Sequence, residues 1–182
     1  MSRTAAARLN HDTADMEKTM NIRLLHRLLA LAALGMTLGA GTALAADYTT
    51  IVQQIVVNRP VDVVWKKIGG YCDISVWLKV SCVYTSGSGD LATVRRLNDR
   101  IDEVMVAKTA HSYTYTQPTT TILYHGTLDV QADGPKRSKI IYSLFYDQSP
   151  LATPEAQAAD RDQRTKRFGE ALNTMKSLAE AP

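Results

Sequence analysis

The spacing of apolar residues changes several times along the chain, and each change marks an element. Tyr48–Val57, YTTIVQQIVV, is rich in β-branched residues and stops at Asn58-Arg59-Pro60, which predicts a first strand. In PVDVVWKKIGG, Val61, Val64, Trp65 and Ile68 recur at helical spacing. Pro60 suits a first helical turn and Gly69-Gly70 an end, so a short amphipathic helix follows the strand. Asp73 can cap a second, shorter helix running through Lys79 and carrying Trp77.

From Val80 onward, alternation replaces helical spacing. VSCVYT, LATVRRL and RIDEVMVAK, separated by Gly87-Ser88-Gly89-Asp90 and by Asn98-Asp99, read as an antiparallel meander. HSYTYTQ, TTTILYHGTLDVQA and RSKIIYSLFYD predict three further strands, the last preceded by Asp133-Gly134-Pro135. Period two places Tyr113 and Tyr115 on one face of the first, Tyr124, Gly126, Leu128 and Val130 on one face of the second, and Ile140, Tyr142, Leu144 and Tyr146 on one face of the third.

Thr153-Pro154 then opens a long helix as N-cap and first helical residue. Its apolar stripe is Phe168, Ala171, Leu172, Met175, Leu178 and Ala179, and the same stripe continues toward the N-terminus as Arg164 and Arg161. One strand, two short helices, about six more strands and a long terminal helix define an α+β, helix-grip arrangement. A curved antiparallel sheet of about seven strands wraps the last helix. Such a sheet cannot touch a straight helix everywhere, so a cavity lined by the inward faces is expected between them.

The N-terminal region follows a different logic. Residues 20 to 45 begin with Arg23 and Arg27, continue as an apolar run and end in Ala43-Leu44-Ala45, the small-x-small pattern of a secretory signal peptide. The alternative, a membrane anchor, is disfavoured by Gly35, Gly39 and Gly41 within the run. Residues 1–19 precede a second methionine, Met20, and read as a leader or an over-extended start. Cleavage near Ala45 would leave residues 46–182 as one domain, exported to the periplasm or secreted, with no integral membrane anchor. Residues 1–45 carry five of the 21 Lys and Arg and three of the 18 Asp and Glu, so a net charge of about +1 remains beyond them. With no basic stripe there, the footprint of a nucleic-acid binder is missing.

Export changes the meaning of the only two cysteines. Outside the cytosol Cys72 and Cys82 can form a disulfide that closes a loop of about ten residues, while two separate buried thiols are the alternative. Trp77, between them, reads as a packing anchor for that loop.

The run RPVDVVW, IGGYC, a Trp and a second Cys, from Asn58 to Cys82, resembles the START-like superfamily, also called SRPBCC, and in particular its secreted polyketide-cyclase/dehydrase-like members. The likeness continues through TVRRL, IDEV, HSYTY and SKIIYSLFYD. The resemblance implies a hydrophobic ligand cavity, used for binding and transport or for cyclisation or lyase chemistry. It also implies that Arg95 and Glu103, on neighbouring strands, point into that cavity. Where related bacterial sequences place His-Pro after the tryptophan, this chain has Leu78-Lys79, so no role carries over to that histidine.

Arg95 and Glu103, if both inward, are expected to pair, because an isolated buried charge is costly. The pair is either structural or a ligand-orienting and acid–base device, which makes these two the catalytic candidates. Tyr113, Tyr115, Tyr124 and Tyr142 offer ring surface and hydroxyls to a ligand, with Leu128, Phe168 and Arg164 completing the expected lining. The tyrosines serve equally well as ordinary core. Arg161 and Arg164 are either a solvated helix end within the charged run DRDQRTKR or rim residues at the cavity mouth, where they would receive an acidic head group. His111 and His125 stand alone, so no metal site is expected, and no nucleotide or nucleophile-elbow fingerprint appears. No cofactor is expected. The sequence therefore favours an exported protein that binds a small apolar ligand. A cyclase, dehydratase or lyase using Glu103, Arg95 and a tyrosine is one alternative, and a partner-binding protein with a closed interior is another.

Overall fold

A computed structural model describes residues 46–182. The leader and signal-peptide readings lie outside the described residues. The elements are β1 (Tyr48–Val57), α1 (Val61–Ile68), α2 (Ile74–Trp77), β2 (Cys82–Ser86), β3 (Val94–Leu97), β4 (Ile101–Lys108), β5 (Ser112–Thr116), β6 (His125–Ala132), β7 (Ser138–Asp147) and α3 (Pro154–Glu180). All seven strands form one antiparallel sheet in the order β1-β7-β6-β5-β4-β3-β2. This is the helix-grip fold, with an open sheet whose inner face grips α3.

The alternation read from the sequence is the alternation of burial. Tyr113, Tyr115, Gly126, Leu128, Ile140, Tyr142, Leu144 and Tyr146 all face inward and are buried, while their neighbours in the strands are more accessible. Thr153 caps α3 by accepting the Ala156 amide at 3.1 Å, and Pro154 occupies the first turn. On α3, Phe168, Ala171, Leu172, Met175 and Ala179 are buried. Each large apolar side chain among them contributes about 1.5–3 kcal/mol by leaving water.

Two local readings need correction. The long strand predicted from Thr119 begins only at His125; Thr119–Tyr124 is a loop in which Leu123 has φ +46°. The left-handed backbone at Leu123 breaks the alternation that the TTTIL run suggests. The second helix is also shorter than predicted, ending at Trp77 before Lys79 at φ +56°. Its Asp73 makes no side-chain cap and instead accepts the Gly70 amide at 2.7 Å, closing the turn ahead of the helix.

Cys72 and Cys82 form a disulfide with their Cα atoms 5.6 Å apart. It ties the start of α2 to the first residue of β2. Trp77 is buried inside this loop and meets Tyr142 edge-on at 5.8 Å between ring centres. The helix α3 packs against β1, β7, α1 and α2. The β3–β5 side of the sheet lies farther from it, and the cavity opens on that side.

Candidate functional site: a cavity beside the terminal helix

The site begins with a three-residue hairpin loop, Asn98–Arg100. Asn98 and Asp99 both have left-handed backbone, φ +49° and +59°, the combination required in a tight hairpin whose twist matches its strands. That turn sets the register Leu97 opposite Ile101, Arg96 opposite Asp102, and Arg95 opposite Glu103. Because successive side chains alternate faces, one ion pair forms on each side of the sheet. Arg96 and Asp102 pair on the outside, with Nε to Oδ1 at 2.7 Å and Nη2 to Oδ2 at 2.8 Å. Arg95 and Glu103 pair on the inside, 0% and 2% exposed, with Nε donating to Oε2 at 2.8 Å.

The inner pair sits in a cage of tyrosines. The Arg95 guanidinium lies 4.0 Å from the centre of the Tyr71 ring and 4.7 Å from that of Tyr115, and it donates to the Tyr71 carbonyl. Burial works against its charge, but Tyr113, Glu103, Tyr115 and Tyr71 outweigh burial and hold its pKa above the usual range. The second Glu103 oxygen, Oε1, accepts the Gln117 side-chain amide at 2.8 Å. Both carboxylate oxygens are therefore engaged. The Tyr113 hydroxyl, fully enclosed, has no hydrogen-bond partner among the described residues.

Against this pair lies a cavity of about 290 Å³. Its apolar wall is Ile74 and Leu78 from the α2 region, Leu97, Ile101, Ile122, and Phe168 on α3. Its polar wall is Glu103, Gln117, Tyr115 and Tyr124, together with Asp160, Gln163, Arg164 and Arg167 on α3. Tyr115 reaches the wall because its partner on β6 is Gly126: a Cβ there would fall 2.3 Å from the Tyr115 ring. The Tyr115 hydroxyl is 2.8 Å from that of Tyr142. Burial pushes the Tyr124 pKa up to about 12, while Arg164 and Arg167 pull it down.

Of the residues singled out from the sequence, Glu103, Tyr115, Tyr124, Arg164 and Phe168 border this space. Arg95, Tyr113, Tyr142 and Leu128 are buried in the layer around it and do not form its wall. Arg161 lies outside the wall and donates to Gln148 Oε1 at 2.7 Å. Arg164 is held by Asp160 at 2.9 Å and stacks on Tyr146 at 4.4 Å. Asp160 also accepts the Tyr146 hydroxyl at 2.7 Å. The sequence reading missed Gln117, Asp160, Gln163, Arg167 and the aliphatic wall of Leu78, Leu97, Ile101 and Ile122. Among the described residues no cluster of His, Cys, Asp and Glu could hold a metal ion.

A family model for polyketide cyclase, dehydrase and lipid transport proteins matches residues 48–180. The chain belongs to that family. Among solved structures, it is similar to a protein from Nitrosospira multiformis, with 21% identity over 71% of this chain and 94% of that one, at a TM-score of 0.59. It also resembles the Zhui aromatase/cyclase from Streptomyces, with 14% identity over 74% of this chain and 94% of that one, TM-score 0.56. Norcoclaurine synthase from Thalictrum flavum, in complex with dopamine and hydroxybenzaldehyde, is similar at 15% identity over 77% of this chain and 91% of that one, TM-score 0.56. These likenesses show a shared fold. A comparison with curated proteins gives no match.

Proposed function

We propose that this protein is exported and binds a small, largely apolar molecule in the cavity beside α3. The observation that carries the reading is the cavity itself: about 290 Å³ with an aliphatic and aromatic wall facing a few polar groups. That volume lies near the bottom of the range for small-molecule sites, roughly 300–1,000 Å³, and suits one compact ring system or a short chain. The family and its cavity-bearing fold support the same reading. Export is supported by the signal-peptide pattern and by the disulfide, which persists in oxidising compartments.

A cyclase or dehydratase would need Glu103 or a cavity tyrosine as acid or base. The occupation of both Glu103 oxygens, by Arg95 and Gln117, favours binding over turnover. Native mass spectrometry of the purified protein, followed by solvent extraction, tests the proposal. A co-purified small molecule that is lost in a cavity-filling Leu97→Trp variant supports it. Absence of any bound species, with no affinity for bicyclic aromatic probes, contradicts it.

A further inference from the structure

The charges around the cavity do not cancel. Glu103 is neutralised by Arg95 directly behind it, with 2.6 Å between Nη2 and Oε2. Asp160 is neutralised by Arg164, 2.9 Å away. That leaves Arg167, which makes no ion pair among the described residues. One turn before it on α3 stands Gln163, which is neutral.

Arg167 also occupies a special place. It borders the main cavity and a smaller one of about 120 Å³, walled by Trp77, Leu78, Lys79, Glu170, Ala171 and Thr174. Lys79 and Glu170 offset each other in sign, so the excess of one positive charge persists when both spaces are considered. The influence of Arg167 reaches inside, because its charge acts on the enclosed Tyr124 hydroxyl. Arg167 is an exposed residue, open to a partner from solvent, while its neighbour Phe168 is buried and forms part of the apolar wall.

Resting on the reading of this cavity as a binding site, we infer that Arg167 receives the carboxylate of a small monoanionic ligand whose apolar body fills the cavity. One unneutralised cation matches one anion, whereas a phosphate dianion would leave negative charge over. The planar guanidinium can engage a carboxylate through two parallel hydrogen bonds, and a water-poor wall on one side strengthens them.

The test compares 2-naphthoate with its neutral counterpart 2-naphthamide by isothermal titration calorimetry, on the wild-type protein and on the Arg167→Gln, Arg167→Lys and Arg161→Gln variants. The wild type is expected to bind the acid about tenfold more tightly than the amide. Arg167→Gln should weaken the acid far more than the amide and reduce that preference to about twofold or less, Arg167→Lys should retain part of it, and Arg161→Gln should retain all of it. Equal wild-type affinity for the two probes, or an acid preference that survives Arg167→Gln, overturns the inference and leaves cavity binding standing. Failure of both probes to bind overturns the two together.

Discussion

Arg95 faces Glu103 across the β3–β4 hairpin with both side chains out of water, and Gln117 takes the carboxylate oxygen that Arg95 leaves free. The pair closes the inner layer of the sheet against the cavity. Removing one partner strands a buried charge, which costs about 3–5 kcal/mol, whereas replacing both with apolar residues is often close to neutral. Arg95→Met and Glu103→Leu should each be strongly destabilised in urea denaturation, and the double variant should recover most of the loss. Additive losses in the double variant would contradict the pairing argument.

The disulfide constrains the chain that carries α2 and Trp77. For a loop of about ten residues, chain entropy gives a stabilisation of roughly 2.5–3 kcal/mol. Cys72→Ser/Cys82→Ser should lose about that amount in denaturant titration. The Leu78 side of the cavity should loosen as well, seen as faster hydrogen exchange at the Leu78 amide, which donates to the Ile74 carbonyl at 2.9 Å.

Gly126 makes room for Tyr115. Gly126→Ala should force the ring away from β6, at an overpacking cost of about 1–3 kcal/mol, and push it into the cavity. A thermal melt should show the lost stability, and titration with 2-naphthamide should show weakened binding. Unchanged affinity would mean that Tyr115 does not shape the site.

Six tyrosines, Tyr71, Tyr113, Tyr115, Tyr124, Tyr142 and Tyr146, have pKa values raised above 10, burial being the largest cause for each. A phenol whose folded pKa lies above its unfolded value adds stability that is fully present below pH 10. That contribution is lost as pH rises toward the folded value, about 12 for Tyr124. Denaturation midpoints should therefore fall steadily above pH 10, and ultraviolet titration of the folded protein should show these six phenols resisting ionisation near pH 10. Ionisation of these six tyrosines near pH 10 without unfolding would contradict the packing described here.

Much of the fold was legible because its signals are local. Period-two burial on β5, β6 and β7, the Asn98-Asp99 turn and the Thr153-Pro154 start of α3 are all properties of neighbouring residues. The strand overrun at Thr119–Tyr124 has the opposite cause: the segment is β-prone by composition, and the turn at Leu123 has no Gly or Asn to announce it.

The candidate site was only half legible. Periodicity identifies which side chains face inward, but it does not separate those packed solidly, such as Tyr113 and Leu128, from those beside open space. That distinction depends on where α3 leaves the curved sheet. Extending the Phe168 stripe by helical steps led to Arg164, which borders the cavity, and to Arg161, which does not. Gln163 and Arg167, on the flank of that stripe, border it as well, and no apolar periodicity points to them.

Nuclear magnetic resonance titration of the isotope-labelled protein with 2-naphthamide reads cavity binding by itself, because the neutral probe carries no charge for Arg167 to pair. Saturable shifts are expected at Leu78, Leu97, Ile101, Gln117, Ile122 and Phe168, with the exposed outer residues Val52 and Val56 unmoved. Shifts confined to the outer face of β1, or no saturable change at any of the cavity residues, would contradict cavity binding.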